Sequence, residues 1–433
     1  MRRTRRVATA LGLLALGTMA TGCEWLQPGF DANRSAYNPF EGAITTANVA
    51  NLTEAFRVPF VSNTGATKPV VNSRDVIVGG KGALNAYDRR TGAARWTTNV
   101  VPTSATPPVR VLDPFVVGGG EVVVSAGTLV GGYPGPGMVS GGTTTRLAAS
   151  SGAVLETSGP PSYVQAVRGS RQARSNRMYP TRNSAGTYDP LLLEVTDRDD
   201  PSFRWGGRPS NSDDRFTIDE SLTLGNDRLY MRSNPALGEF SDEISAYDLT
   251  APCQPDPGTD VPTCVALWST YVFNVGGDIA LSEDGKTLLV PDAQRGVTAL
   301  DAGTGAMRWQ STGYSDFSGE VAVAGGLVYV SNVSSRAVDV YAVSGCGADT
   351  CEPIWTVPLP FGATSSVIVA GDVGYVGFYG GIVAFPAAGC GLTTCQPLWS
   401  EPTGSESPTE LAVASGRLYA VTNASLIAWA LPT

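Results

Sequence analysis

The sequence predicts an all-β protein, an eight-bladed β-propeller made of four-stranded antiparallel blades. Two short segments, CGADTCEPIW from Cys346 and CGLTTCQPLW from Cys390, begin 44 residues apart and share both cysteines, the proline and the tryptophan. A second motif with a similarly placed tryptophan recurs along the chain, and short hairpin patterns separate its copies. Self-similarity at a period of about 45 residues, with four short strands per period, is typical of propeller blades.

The second motif reads A-x-D-x-x-x-G-x-x-x-W. It is complete in AYDRRTGAARW, which ends at Trp96, and in ALDAGTGAMRW, which ends at Trp309. VTDRDDPSFRW keeps the spacing up to Trp205, and CQPDPGTDVPTCVALW places Trp268 four residues after a cysteine, as in the duplicated segments. The alternating apolar residues before each turn predict one strand, and the tryptophan segment predicts the next.

Each unit also opens with a shorter hairpin, for example at 321–330, 367–376 and 411–421. The last unit lacks its tryptophan strand, whereas residues 52–60 have an equivalent strand with Phe56 in the tryptophan position. We therefore expect 52–60 to pair with the final segment and remove an open sheet edge. The blade that ends near Leu155 has lost most of the motif, so seven blades remain the alternative.

The motif resembles the tryptophan-docking repeat of quinoprotein (PQQ-like) eight-bladed propellers, over roughly residues 37–433. The segment YNPFEGAITTANVANLTEAF is similar to the stretch that leads into the first blade of that superfamily. The resemblance implies that each tryptophan packs between neighbouring blades. The docking residues so implied are Trp96, Trp205, Trp268, Trp309, Trp355 and Trp399.

The amino terminus carries an export signal. Residues 1–22 combine four arginines, an apolar stretch and small residues, which is typical of a secretory signal peptide. The sequence Ala20-Thr21-Gly22-Cys23 resembles a bacterial lipobox, which implies cleavage before Cys23 and its diacylation. We expect a membrane-proximal linker over 23–36, the propeller over 37–433, and anchoring to the extracytoplasmic side of the cell membrane. An unlipidated secreted protein is the alternative; Arg5 and Arg6 leave open whether the Sec or the twin-arginine route exports it.

Six cysteines remain after Cys23, and they fall into three local pairs. Because export places them in an oxidising compartment, we predict disulfides. The competing interpretation is a reduced metal site, but the spacing is not that of a zinc finger and the chain contains no histidine. The predicted pairs are Cys253–Cys264, Cys346–Cys351 and Cys390–Cys395.

The charge and the missing histidine exclude several functions. The net charge is −9, and it falls to about −13 when residues 1–22 are removed, which argues against nucleic-acid binding. Without histidine there is no Ser-His-Asp triad and no histidine base or metal ligand.

One basic segment, VRGSRQARSNRMYPTR at 167–182, stands out from the acidic background. It is either an anion-binding patch for a glycan, a lipid headgroup or an acidic protein, or a set of arginines that pair with the acidic run DRDD at 197–200. The arginines are Arg168, Arg171, Arg174, Arg177 and Arg182.

Three functions remain in contention. The first is a non-catalytic, membrane-anchored propeller that binds an envelope protein or glycan as an assembly scaffold, with no cofactor. The second is a dehydrogenase dependent on PQQ and calcium, the activity of the family's catalytic branch. The third is a glycan-active enzyme based on carboxylates. No calcium-ligand set or catalytic aspartate is recognisable, and the adjacent cysteine pair of many quinoprotein alcohol dehydrogenases is absent. We therefore favour the scaffold, because proteins often keep a fold after losing its catalytic activity.

Overall fold

The computed structural model describes most of the chain from Glu24 to Pro432. The described residues are 24–59, 67–101, 109–118, 120–130, 138–158, 163–175, 192–210, 221–233, 241–255, 261–273, 275–293, 295–312 and 319–432. Among them is one short 3-10 helix, Val49–Asn51. No helix in these ranges has the length and apolar character needed to cross a bilayer.

The described strands form eight antiparallel sheets, which we number as blades in chain order. Two short strands precede the first blade, β1 (Tyr37–Asn38) and β2 (Thr53–Pro59). Blade 1 contains β3 (Val70–Val71), β4 (Asp75–Gly80), β5 (Ala83–Asp88) and β6 (Ala94–Asn99). Blade 2 contains β7 (Val109–Val111), β8 (Phe115–Val117), β9 (Glu121–Val130), β10 (Met138–Ala148) and β11 (Val154–Ser158). Blade 3 contains β12 (Tyr163–Arg168), β13 (Arg171–Ser175), β14 (Leu193–Asp197) and β15 (Arg204–Pro209). Blade 4 contains β16 (Ser221–Leu224), β17 (Arg228–Ser233), β18 (Ser241–Asp248) and β20 (Trp268–Phe273), with β19 (Thr263–Cys264) between the last two.

The second half repeats the same arrangement with less variation. Blade 5 contains β21 (Ala280–Leu281), β22 (Thr287–Asp292), β23 (Gly296–Asp301) and β24 (Met307–Ser311). Blade 6 contains β25 (Ala322–Ala324), β26 (Leu327–Asn332), β27 (Ala337–Ala342) and β29 (Trp355–Pro358), with β28 (Thr350–Cys351) between the last two. Blade 7 contains β30 (Ile368–Ala370), β31 (Val373–Phe378), β32 (Gly381–Pro386) and β33 (Trp399–Pro402). Blade 8 contains β34 (Pro408–Ala414), β35 (Arg417–Thr422) and β36 (Ser425–Ala430), and its outer strand is β2.

The amino-terminal strand closes the propeller, as predicted. Strand β2 pairs antiparallel with β36, and Phe56 lies opposite Ala428, the register that the tryptophans hold in other blades. The sheets number eight, so the seven-bladed alternative is wrong. A strand taken from the other end of the chain gives the last blade its fourth member and covers the edge of β36.

The segment 24–44, which we call the strap, runs around one end of the propeller. Its backbone or side chains form hydrogen bonds with the innermost strands of all eight blades. The partners, from blade 1 to blade 8, are Trp25 with Val71, Leu26 with Val116, Gln27 with Val167, Ala32 with Leu224, Asn33 with Leu281, Ser35 with Val323, Ala36 with Val369, and Asn38 with Val413.

The linker predicted over 23–36 is therefore wrong for its described part. Trp25 is 1% exposed, and Ala32 and Ala36 are also buried. The physical reason is that the innermost strands leave backbone groups unpaired toward the channel, and the strap satisfies one set of them in each blade.

The three cysteine pairs form disulfides, as predicted. Each disulfide loop reaches the outer strand of the preceding blade. Strand β19 pairs parallel with β15 of blade 3, and β28 pairs parallel with β24 of blade 5. In blade 7 the loop bridges Thr394 to Thr356 of blade 6. The disulfides thus hold short segments that cover three exposed blade edges.

Candidate functional site

In each blade, one residue of the innermost strand forms a hydrogen bond with the strap. The residue three positions before it lies at the start of that strand or just before it, and we call these eight places the axial positions. Seven of the eight carry a polar or charged residue. From blade 1 to blade 8 they are Lys68, Asp113, Val164, Ser221, Asp278, Glu320, Ser366 and Glu410. Side chains from opposite blades meet there: Lys68 Nζ of blade 1 lies 3.9 Å from Asp278 Oδ2 of blade 5. Because these blades are four apart in a ring of eight, this contact crosses the central axis.

Two ion pairs dominate this axial cluster. Lys68 pairs directly with Glu320 of blade 6, and Arg34 of the strap pairs directly with Asp278. Glu320 and Lys68 are 10% and 19% exposed, so the charges are only partly screened by water. The backbone of Glu320 also donates to Ser366 Oγ at 2.8 Å, which ties blade 6 to blade 7.

Arg34 adopts a backbone conformation that is rare for a residue with a side chain. Its φ is +55°, in the left-handed region. In that conformation its guanidinium donates to the carbonyls of Leu222 at 3.0 Å and Gln165 at 2.6 Å, besides pairing with Asp278. One strap residue thus links blades 3, 4 and 5, and these contacts offset the local strain.

The cluster shifts the acidity of its members. Burial raises the pKa of Glu320, Lys68 lowers it and Asp278 raises it, with a result of about 7. Burial, with Asp113 and Glu320 nearby, outweighs Lys68 and raises the pKa of Glu410 to about 8. Burial also acts on Asp278, but Arg34 and Lys68 more than offset it and hold its pKa well below the usual range. Glu320 and Glu410 therefore exchange protons near neutral pH.

Two of the four axial carboxylates are poorly placed to bind a calcium ion. Calcium takes six to eight oxygen ligands, several of them from ionised carboxylates. Here Asp278 already forms an ion pair with Arg34, and Glu320 forms one with Lys68. Within the part of the chain that the structure describes, no three Asp, Glu, His or Cys residues are grouped to hold a metal.

The predicted docking tryptophans lie between neighbouring blades. Four of them donate from the indole N–H to a backbone carbonyl of the next blade at 2.9–3.2 Å. The pairs are Trp96 with Ala149, Trp205 with Ala251, Trp268 with Ala302, and Trp309 with Val343. Trp399 packs edge-to-face against Trp429 of blade 8, with ring centroids 6.1 Å apart.

A glycine of the next blade packs against the ring in several of these docks. Gly305 has a φ of +74°, and a Cβ there would lie 2.4 Å from the Trp268 ring of the preceding blade. Gly345, with φ +77°, stands in the same relation to Trp309 at 2.6 Å. Only glycine satisfies both the left-handed turn and the close contact with the ring.

Blade 2 departs from this arrangement. In blade 1, Ala86 lies opposite Trp96, next to a bulge. In blade 2, Arg146 lies opposite Glu156 next to an equivalent bulge, so Glu156, not Leu155, occupies the position of the tryptophan. Leu155 is 49% exposed. The placement near Leu155 is therefore wrong by one residue, and Glu156 forms an ion pair with Arg146 at 2.8 Å instead of docking on blade 3.

The described arginines of the predicted patch do not form one cluster, because each has a different partner. Arg168 bonds the strap through Asn33, and Arg174 donates to Gln172 at 2.6 Å. Arg171 lies 3.5 Å from Asp197, as the pairing alternative expects, and 4.6 Å from the centre of the Phe203 ring. Arg177 and Arg182 lie outside the described residues, as does Cys23.

Sequence reasoning missed the axial cluster. Its residues differ from blade to blade, so no repeat motif reveals them. A usable signal was present, since a polar residue lies shortly before the first apolar strand of most units.

Comparisons with known proteins agree with this architecture. Residues 258–433 match a family model described as outer membrane protein assembly factor BamB. No curated protein sequence matches the chain. Among solved structures, a europium-containing methanol dehydrogenase has a TM-score of 0.62 at 12% identity, covering 95% of this chain and 98% of its own.

Two further structures have the same fold. The quinohemoprotein alcohol dehydrogenase ADHIIG from Pseudomonas putida HK5 has a TM-score of 0.61 at 12% identity, covering 95% of this chain and 80% of its own. BamB from Moraxella catarrhalis has a TM-score of 0.52 at 14% identity, covering 88% and 97%. These identities establish the fold alone. From its repeats and its eight sheets, the chain is an eight-bladed β-propeller, and its carboxy-terminal part is similar to a PQQ-like repeat family.

Proposed function

We propose that this protein is a non-catalytic scaffold of the cell envelope, anchored to the membrane through lipidated Cys23, that binds an envelope protein or glycan. One observation carries the proposal: the charged groups at the axis pair with one another, Lys68 with Glu320 and Arg34 with Asp278. Such mutual pairing leaves these four groups without the unmatched charge that a cofactor or metal would neutralise.

The matched family model supports the envelope setting. Its description names an outer membrane assembly factor, and BamB from Moraxella catarrhalis has the same fold. The match lies in the carboxy-terminal part of the chain, where the blades are most regular. The partner of this chain is defined only by class, as an exported protein or glycan.

The dehydrogenase alternative is tested directly. We expect no reduction of an artificial electron-acceptor dye with alcohols or aldoses, even when PQQ and calcium are supplied to the purified protein. Catalysis by PQQ needs a metal at the quinone and a nearby base, and two of the four axial carboxylates, Asp278 and Glu320, already pair with cations of the chain itself. Sustained PQQ-dependent turnover that disappears with EDTA would establish the enzyme instead.

A glycan-active enzyme is the second candidate, because Glu320 and Glu410 both have raised pKa values. A raised carboxyl pKa is what a glycosidase acid requires. The discriminating variant is Glu410→Gln, which keeps the shape of the side chain. If the protein is a scaffold, this variant should restore a deletion strain's envelope integrity as well as wild type. Loss of complementation by a variant with unchanged thermal stability, with product formation from a glycan library by wild type, would favour the enzyme.

The anchor is tested by Cys23→Ser. We expect the variant to be released from the membrane fraction while the propeller remains folded, because one covalently attached diacyl group supplies the stable attachment. Mass spectrometry of the amino terminus and fractionation measure this. An unacylated wild-type protein in the culture medium that retains residues before Cys23 would contradict it.

A further inference from the structure

The strap begins beside the innermost strand of blade 1, directly after the predicted anchor. Trp25 is 1% exposed and is joined to Val71 of blade 1 by two backbone hydrogen bonds of 2.8 and 2.7 Å. Cys23 precedes Trp25 by two residues, which span at most about 7 Å. An acyl group on Cys23 would therefore be held close to the end of the propeller that carries the strap, without a flexible spacer.

The blade turns at that end are identified by their contacts. In blade 7, Gly371 donates to Asn38 of the strap at 2.9 Å, and Ala387 donates to Asp372 at 2.9 Å. The turn between the first and second strands and the connection from the third to the outer strand therefore meet beside the strap. The same pair of turns is hydrogen-bonded in blades 1 to 6.

Exposed apolar side chains are concentrated in these segments. Of the twelve most exposed large apolar residues among the described ranges, eight lie in the strap, in the connections to the outer strands, or in the first two residues of an outer strand. They are Phe40, Val154, Leu155, Val265, Leu267, Met307, Ile354 and Leu392. Exposed apolar groups gathered at one end of a molecule mark an interaction surface.

Basic residues lie beside the start of the strap. Arg74 lies in the turn that follows Val71 and is 47% exposed, with its Nε 3.9 Å from Asp75 Oδ1. Arg90 is also exposed, and Arg89 contributes a favourable charge interaction with Glu24. Basic groups next to an anchor are attracted by anionic lipid headgroups.

We propose that the strap end of the propeller is a membrane-facing surface that rests on the interfacial region of a phospholipid bilayer, so that the opposite mouth points away from the membrane. The inference rests on the proposed anchoring at Cys23 and adds the orientation and the lipid contact. The apolar residues enter the headgroup boundary while the anchor supplies most of the affinity.

Two tryptophan probes with nearly equal exposure test the orientation. Phe40, in the strap, is 60% exposed, and Tyr379 is 62% exposed. Tyr379 follows β31, a strand that starts beside the strap at Val373 and runs six residues, about 20 Å, toward the other end. The variants are Phe40→Trp and Tyr379→Trp, and their added fluorescence is measured as the difference from wild type.

The lipidated protein is reconstituted in vesicles of phosphatidylcholine and phosphatidylglycerol in equal parts, with brominated acyl chains as quencher. We expect the fluorescence added at position 40 to be quenched several-fold more than that added at position 379. Equal quenching, or stronger quenching at position 379, would overturn the proposal. If Phe40→Trp does not fold, Leu392→Trp replaces it.

A second arm separates this inference from the anchor. A chain with a histidine tag directly before Glu24 is bound to vesicles with nickel-chelating lipids, and the same two probes are compared. If wild type is not acylated but this arm gives the expected contrast, the anchor proposal fails and the membrane-facing surface stands. A stable dimer in light scattering that Phe40→Asp or Leu392→Asp dissolves would assign the surface to a second copy and overturn the lipid contact.

Discussion

The ring of docking tryptophans and the axial cluster occupy equivalent positions in successive blades, but they use them in opposite ways. At the docking position most blades repeat one residue, and the indole of Trp309 meets the next blade as that of Trp268 does. At the axial position the residue changes from blade to blade. Repetition serves an interaction that every blade interface needs. Variation allows Lys68 of one blade to pair with carboxylates of two others, an interaction that the remaining described blades do not repeat.

The largest effect expected from this comparison is at a docking residue. Trp309→Ala should lower the free energy of unfolding by about 3–5 kcal/mol, because it leaves a cavity between blades 5 and 6. Met307→Ala in the same strand, with a side chain that is 52% exposed, should change it by no more than about 0.5 kcal/mol. Urea denaturation measures both, and equal losses would show that docking is not specific to the tryptophan.

A slightly smaller effect is expected at the axis. Lys68→Met should cost about 3 kcal/mol at pH 8, because it leaves Glu320 and Asp278 with less compensation for their buried charge. At pH 5 the loss should shrink, since Glu320 can bind a proton there and become neutral. Lys81→Met, at an exposed lysine, is the control. A loss that does not depend on pH would mean that Lys68 acts through packing alone.

Removing the disulfides tests whether the covered blade edges contribute to the free energy of unfolding, as the tryptophan contacts between blades do. Replacing both cysteines of Cys346–Cys351 by serine should cost about 2 kcal/mol on the chain-entropy estimate, and Cys253–Cys264, with a separation of 11 residues instead of 5, about 3 kcal/mol. Thermal unfolding under non-reducing conditions measures the order. The reverse order would indicate that contacts with the neighbouring blade, not loop closure, determine the effect.

The effect most specific to the axis is a pH dependence. The pKa of Glu410 is raised from 4.5 to about 8, so the folded state binds a proton more tightly than the unfolded state. Stability from this group is present below pH 4.5 and declines as the pH rises toward 8. Glu410→Gln removes the dependence, so the variant should match wild type at pH 4 and exceed it at pH 9. A variant that is less stable than wild type at pH 9 would contradict the raised pKa.

The repeated features were predictable from the sequence because each copy supports the others. The tryptophan motif gave the number of blades, and the missing last strand led to Phe56 and the closure by 52–60. The pairing of cysteines followed from their spacing within single loops. In each case the residues that allow the prediction lie within one repeat, or at the place where the repeat is interrupted.

The axial cluster and the strap were not predicted because their contacts join residues far apart in the chain. Arg34 and Asp278 are 244 residues apart in the chain, and Lys68 and Glu320 are 252 apart, so no local spacing indicates either pair. The strap has no alternating pattern, since its hydrogen bonds go to eight different strands in turn. The position equivalent to the tryptophan in blade 2 was predicted near Leu155 and is held by Glu156, because a bulge shifts the register next to it.

Closure by β2 makes the first-synthesised part of the propeller depend on the last. Strand β2 has no partner until residues 425–430 have been made, because it pairs with β36. The strap likewise needs the innermost strands of every blade before all its hydrogen bonds exist. During synthesis the growing chain therefore carries an unpaired strand, a species prone to wrong association. We expect ring closure to wait for the synthesis of β36, which makes residues 425–430 necessary for completing the whole ring.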